Sequence, residues 1–202
     1  MLLNLGKVTI EVEKQRCEEN FAPFLFFKIM KNKQNLSDDV IARARKIKLL
    51  LMDCDGVLTD GRLYYTEVGE QMKVFNVRDG QGIVSWHKAG FQSGIISGRD
   101  AKFILEARAT ELGMHYIKAR SQDKAKDFLD VLQDAKMTSD EVAYIGDDIG
   151  DICLLAKVGL PIAVADAALE VLPYIIYKTE AKGGFGAVRE ITNLLLKAKE
   201  KY

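Results

Sequence analysis

Ile47-Lys48-Leu49-Leu50-Leu51-Met52-Asp53-Cys54-Asp55-Gly56-Val57-Leu58-Thr59-Asp60-Gly61 is the stretch that decides how this 202-residue chain reads. An apolar run ends at two acids one residue apart, Asp53 and Asp55, and then at a glycine. A short apolar run with that ending has the pattern of a strand buried on both faces of a parallel sheet. Open parallel sheets gather their ligands beyond the carboxyl ends of the strands. Alternate positions of an extended chain point the same way, so both acids face one crevice. Two carboxylates held together out of water need a cation or a shared proton. The stretch therefore predicts a metal site used for chemistry.

Outward from it, strand and helix signals alternate. Ser37 caps a short helix ending before Lys46. After the acids, Leu63–Thr66 and Met72–Phe75 flank a turn over Glu67–Glu70, a hairpin pattern. Asp79 caps a helix running to Ala89 and stopped by Gly90. A strand over Phe91–Ile96 ends at Ser97-Gly98-Arg99, and a helix capped by Asp100 runs to Gly113. Then come a strand over His115–Lys118, a helix over Asp123–Ala135, and a strand over Glu141–Ile145 ending at Gly146-Asp147-Asp148. A helix to Lys157, a strand over Leu160–Val164, a helical turn at Asp166, a strand over Tyr174–Tyr177 and a helix over Ala187–Lys199 complete the chain. This alternation predicts an α/β fold: a Rossmann-like, doubly wound, mainly parallel sheet with a β-hairpin flap. The stretch from Asp60 to Asn76 has room for a hairpin and no cap domain. Residues 1–36 read as an N-terminal appendage and residues 37–202 as the globular domain.

Composition narrows the partners. With 29 basic and 29 acidic residues the net charge is zero, so no global field draws the chain to nucleic acid or to a membrane surface. No apolar stretch reaches membrane-spanning length, and Phe21–Met30 is interrupted by Pro23 and Lys28. Cys17, Cys54 and Cys153 have no ligand spacing and cannot all pair, which fits a reducing, cytoplasmic compartment. Cys54 points away from its flanking acids, into the core. His87 and His115 lack partners at ligand spacing, and Trp86 reads as helix packing.

Phosphate chemistry accounts for the strand ends. They carry Asp53 and Asp55, then Ser97, then Asp147, Asp148 and Asp151, with Lys124 opening a helix between the last two. No Gly-x-x-x-x-Gly-Lys loop and no Gly-x-Ser-x-Gly elbow is present. A divalent cation on Asp53 and Asp147 would take oxygen ligands and keep several waters, which describes magnesium. Without it a phosphate is repelled: two like charges about 4 Å apart at an effective dielectric of ~20 cost roughly 4 kcal/mol. With it, Asp53 can attack phosphorus and form an aspartyl-phosphate. Asp55 can give a proton to the leaving oxygen and later take one from water. Ser97 and backbone amides can hold phosphoryl oxygens, and Lys124 can neutralise their charge. Arg78, Arg99 and Arg108 point to a small molecule bearing phosphate and carboxylate.

Over residues 47 to 190 this ordered set resembles the haloacid dehalogenase superfamily of phosphatases. The resemblance implies nucleophile Asp53 and acid/base Asp55. It implies magnesium held by Asp53, the backbone carbonyl of Asp55, and Asp147, with Asp148 and Asp151 supporting those ligands from behind. Four further pieces are Asn76-Val77-Arg78-Asp79-Gly80, Ser97-Gly98-Arg99, Arg108 to Gly113, and Gly183-Gly184-Phe185-Gly186-Ala187-Val188-Arg189-Glu190. Together they are similar to the capless 3-deoxy-D-manno-octulosonate 8-phosphate phosphatases of lipopolysaccharide biosynthesis, homotetramers whose adjacent subunits complete the site. That likeness implies that Asp55, Asn76, Val77, Arg78, Asp79, Gly80, Arg99, Arg108 and Lys124 contact a sugar acid phosphate. Tyr64, Tyr65, Val74 and Phe75 of the hairpin are then interface candidates. Val84 stands where some relatives have arginine, and Phe185 where a basic residue is common. Sister phosphatases of nonulosonate 9-phosphates tend to carry glutamate in place of Arg99, so Arg99 favours the octulosonate. A phosphoaccepting receiver-like signalling module, the rival of another class, would put its acidic pair and its acceptor on different strands.

Overall fold

A computed structural model describes residues 36–202, and Asp38–Tyr202 forms one compact unit. The expected appendage falls, except for its last residue, outside the described residues. In chain order the elements are α1 (Asp38–Lys46), β1 (Leu49–Met52), β2 (Tyr64–Thr66), β3 (Gly69–Met72), α2 (Val77–Lys88), β4 (Gln92–Ile96), α3 (Lys102–Leu112), β5 (Tyr116–Lys118), α4 (Lys124–Ala135), β6 (Val142–Gly146), α5 (Ile152–Leu155), β7 (Leu160–Ala163), β8 (Tyr177–Lys178) and α6 (Ala187–Ala198).

All four residues of β1 are buried because the strand has neighbours on both edges and helices over both faces. It pairs in parallel with β4, Leu50 opposite Ser93, and with β6, Leu50 opposite Ala143. The sheet runs β5-β4-β1-β6-β7-β8 and every pairing in it is parallel. Counted within the sheet, that is the doubly wound order 3-2-1-4-5-6, whose direction reverses between β1 and β6. Asp53 and Asp147 follow those two strands, so the reversal places both at the mouth of the crevice.

Leu49 and Leu51 pack with Phe128, Val131, Leu154 and Leu155 under α4 and α5. Leu50 and Met52, equally buried, turn to the opposite face. There Trp86 of α2 is fully buried, donates its indole N–H to Gln92 O at 2.7 Å, and stacks on Phe91 at 4.2 Å. Among the described residues, only a loop and the β2–β3 hairpin separate β1 from α2, so no cap domain is inserted. Nor is any described helix long and apolar enough to cross a membrane.

Several boundaries differ from the sequence expectation, each for a local reason. The second hairpin strand starts at Gly69, not Met72, because Thr66 pairs directly with Gly69 across a tight turn that Gly69 enters at φ +104°. Lys73, Val74 and Phe75 therefore lead away from the ladder. Helix α2 begins at Val77, with Asn76 Oδ1 accepting from Arg78 N at 2.8 Å, so Asp79 is not its cap. Asp100 does not cap α3 either; Ala101 occupies that position and Asp100 faces Arg120 at 3.4 Å. The strand expected over Tyr174–Tyr177 starts only at its last residue, as Tyr177–Lys178, because a 3-10 helix containing Pro173 runs over Leu169–Tyr174 just before it.

Candidate active site

The loop after β1 is wound around one carbonyl. Cys54 O accepts from Leu58 N at 2.9 Å and Thr59 N at 3.0 Å, which turns the chain back immediately after Asp53. Cys54 itself is buried, as its alternation with the acids requires. Gly56 holds φ +82°, and a Cβ there would lie 2.0 Å from Asp147 Oδ2. Only glycine lets the β1 loop close on the β6 loop. A second close approach backs it: a Cβ on Gly183 would lie 1.7 Å from Gly56 O. Gly184 N then donates to Val57 O, and Asn76 Nδ2 donates to Gly184 O at 3.1 Å.

Asp53, Asp147 and Asp151 each offer an oxygen, and the three oxygens lie within 4.8 Å of one another. Lys124, at the first turn of α4, reaches Asp53 Oδ2 at 3.0 Å and Asp151 Oδ1 at 2.8 Å. Asp151 is the anchor of the group. Buried to 1% exposure, it also accepts from Tyr144 Oη at 2.6 Å, Asp147 N at 2.9 Å and Asp148 N at 3.3 Å. Asp148 is exposed and caps the turn Ile149–Asp151 through Ile149 N at 2.7 Å. One lysine against three carboxylates leaves negative charge uncompensated. Burial, then Asp151, Asp53 and Asp148, push Asp147 up to about 8. Burial also raises Asp53 to about 6, with Lys124 opposing and Asp151 adding. Asp147 Oδ1 is buried and has no hydrogen-bond partner. A buried carboxylate oxygen without a donor, among hard oxygen atoms, fits a divalent cation such as magnesium.

These carboxyls make the stability of the domain depend on pH. Between the unfolded carboxyl range and about 8 the folded protein binds more protons than the unfolded chain. The metal-free site therefore costs stability as pH rises through that window, and a cation relieves the cost. Magnesium should raise the melting temperature by more at about pH 8 than at about pH 6.5, since it competes with those protons. Thermal melts with and without magnesium check this; an increment independent of pH would refute it.

Ser97, at the end of β4, is 1% exposed and its Oγ has no partner. Ser121 Oγ, at the end of β5, is orphaned in the same way, and Ser121 N donates to Ser97 O at 2.9 Å. Two buried hydroxyls without acceptors beside a lysine suit phosphoryl oxygens. Sequence reading missed Ser121, although it stands three residues before Lys124.

Asp55 lies under the hairpin. Its Oδ1 accepts from Lys73 Nζ, which also donates to Glu70 Oε1 at 2.8 Å. Arg99 donates through Nη2 to Glu70 Oε2 and to Tyr65 Oη, each at 3.1 Å. Lys73 and Glu70 escaped the sequence reading because the hairpin register was placed three residues late. Asp79 is 1% exposed and accepts from Gly186 N at 3.2 Å and Arg189 N at 2.7 Å, capping α6 from outside it. Arg108 pairs with Glu111 at 2.8 Å, lies 5.5 Å over the Phe75 ring, and fills the space that Gly80 leaves open. Val77 and Arg78 are exposed and line, with Gln81 and Arg189, a cavity of about 490 Å³. The structure thus gathers Asp53, Asp55, Ser97, Arg99, Lys124, Asp147 and Asp151 about the strand ends, and gives Asp79 a helix to hold. His87 bonds to Leu112 O and Ser93 Oγ, away from these residues.

The chain is similar to known proteins in sequence and fold. The haloacid dehalogenase-like hydrolase family matches residues 96–184. The 3-deoxy-D-manno-octulosonate 8-phosphate phosphatase of Yersinia pestis is 45% identical over 166 residues, covering 82% of this chain and 88% of the relative. Its crystal structure superposes with a TM-score of 0.78, over 81% of this chain and 88% of that one. The enzyme of the same name from Escherichia coli K12 is 44% identical over the same shares. From Moraxella catarrhalis, a phosphatase of that name in complex with magnesium, phosphate and KDO is 34% identical, with a TM-score of 0.77 over 81% and 93% of the two chains.

Proposed function

The chain belongs to the haloacid dehalogenase-like hydrolases, and from that premise we infer that it is a magnesium-dependent phosphatase of 3-deoxy-D-manno-octulosonate 8-phosphate, serving lipopolysaccharide biosynthesis. The observation that carries this reading is the meeting of Asp53, Asp55, Lys124 and Asp147 at the ends of β1 and β6, together with 45% identity to a phosphatase of that substrate.

The chemistry follows from the side chains. Asp53 attacks phosphorus, the bond to the sugar oxygen breaks, and Asp55 supplies that oxygen with a proton. Water then attacks the aspartyl-phosphate, Asp55 takes the water's proton, and Asp53 is released with inorganic phosphate. Asp53, the backbone carbonyl of Asp55, and Asp147 would hold magnesium, which when bound offsets the repulsion between the carboxylates and the incoming phosphate. Lys124 keeps Asp53 ionised and faces the phosphoryl group. Ser97, with Ser121 beside it, offers hydroxyls to phosphoryl oxygens. Arg99, Arg108 and the exposed Val77 and Arg78 are assigned to the sugar acid, while Asn76, Asp79 and Gly80 of the same segment hold the local backbone and packing.

Exposed apolar residues on and after the hairpin, among them Tyr65, Val68, Met72 and Val74, support a neighbouring subunit as the cover over the site. We assign a homotetramer on that basis and on the family resemblance. The free thiols of Cys54 and Cys153 fit a cytoplasmic enzyme.

The test is phosphate release from a panel of sugar acid phosphates with and without magnesium. The octulosonate 8-phosphate should exceed nonulosonate 9-phosphates in kcat/KM by at least about tenfold, the size of one lost charged contact. Turnover of none of them by folded, magnesium-loaded protein would refute the assignment.

A further inference from the structure

We propose that Lys73 is the positioning residue for Asp55, which makes the β2–β3 hairpin part of the proton-transfer apparatus as well as a cover. The proposal rests on the phosphatase reading above, with Asp55 as the acid and base.

The Lys73 side chain has 0% exposure, although lysine is almost never fully buried unless paired. Both its partners are carboxylates: Asp55 Oδ1 and, at 2.8 Å, Glu70 Oε1. Glu70 is in turn held by Arg99 at 3.1 Å, so a chain of alternating charges runs from the hairpin to the strand end. The two Asp55 oxygens are treated differently. Oδ1 is committed to Lys73. Oδ2 is buried and has no hydrogen-bond partner; Arg99 Nε, 3.8 Å away, is beyond hydrogen-bonding reach. The free oxygen is the one available to a leaving group or a water. Lys73 thereby fixes which oxygen exchanges the proton and where it points. It sits one residue past β3, so a lifted hairpin would take Asp55's orienting partner with it.

A hairpin anchor without this role would, when removed, slow every phosphate ester alike. A positioning residue for the acid and base discriminates by leaving group. Sugar alcohols need a proton to leave, whereas p-nitrophenolate leaves without one; both routes still need the base to hydrolyse the aspartyl-phosphate. The experiment compares Lys73→Met with the parent, magnesium present, on 3-deoxy-D-manno-octulosonate 8-phosphate and on p-nitrophenyl phosphate, with quenched-flow measurement of phosphorylated protein. On the sugar ester kcat should fall by about 10²-fold with KM changed less than about threefold, as for a general acid–base contribution. On p-nitrophenyl phosphate the first step should be spared, so phosphorylated enzyme builds up as a burst absent from the parent. Lys73→Arg, which keeps a donor, should recover most of kcat. If Lys73→Met does not fold, the double variant Lys73→Met/Glu70→Gln removes one of the two carboxylates that Lys73 neutralises and should show the same dependence on leaving group. Equal losses on both esters without phosphoenzyme build-up, or an unchanged kcat, would overturn the proposal. If the parent hydrolysed p-nitrophenyl phosphate but no sugar acid phosphate, the substrate assignment would fall, and the burst measurement alone would still decide the role of Lys73.

Discussion

Asp53→Asn abolishes phosphate release, by at least about 10⁴-fold, the scale seen when a nucleophile is removed from an otherwise intact site. The reasoning is steric as well as chemical. Asparagine has the shape of aspartate, and its amide oxygen can still accept from Cys54 N, now 2.6 Å from Asp53 Oδ1. It cannot form the aspartyl-phosphate. The fold should persist, since Lys124 keeps Asp151 as a partner at 2.8 Å. One negative charge fewer also lessens the repulsion that raises Asp147. In the absence of magnesium the variant should therefore melt no lower than the parent. Phosphate release and circular dichroism, measured side by side, check both halves. Retention of more than about 1% of parental turnover would remove Asp53 from the nucleophile's role.

Lys124→Met acts on both stability and rate. The lysine is 12% exposed on its side chain and, among the described residues, is the one cation bonded to both Asp53 and Asp151. Methionine of similar length fills the space and leaves the two carboxylates facing each other. Breaking a buried pair by removing one partner costs about 3 kcal/mol or more, so the metal-free variant should melt well below the parent. Magnesium should recover part of that loss, because it supplies positive charge to the same oxygens. Turnover should not recover: kcat is expected to fall about 10²- to 10³-fold even at saturating magnesium, the cost of one preorganised electrostatic contact to the phosphoryl group. Thermal melts across a magnesium titration, with kcat measured at each point, separate the two effects. A variant whose kcat returns to parental values with magnesium would limit Lys124 to a structural role.

Local pattern made the centre of this fold legible. Leu49–Met52 followed by two acids is a signal contained in seven residues, and the strand it predicts is the one on which the sheet is built. Gly146-Asp147-Asp148 and Ser97-Gly98 are signals of the same kind: an apolar run, then small or acidic residues at its carboxyl end. Partnerships across long stretches of chain were not legible. Lys73 meets Asp55 across 18 positions, and only the hairpin register decides whether it points at the site or at solvent. Tyr144 looks like any strand residue until its hydroxyl is seen to donate a hydrogen bond to Asp151. Asp79 sits where an acid ordinarily caps its own helix, and Asn76 already fills that position. Its real partners lie 107 and 110 positions later.

That last contact bears on how the domain is made in the cell. Synthesis proceeds from the amino end, so α2 leaves the ribosome long before the amides of Gly186 and Arg189 exist to meet Asp79. Until they do, the Asp79 carboxylate lacks the two backbone donors that it accepts from in the folded domain. The Asp79 cap on α6 can therefore form only once residue 189 of 202 has been made, so this seal between α2 and α6 is among the last contacts the chain can complete.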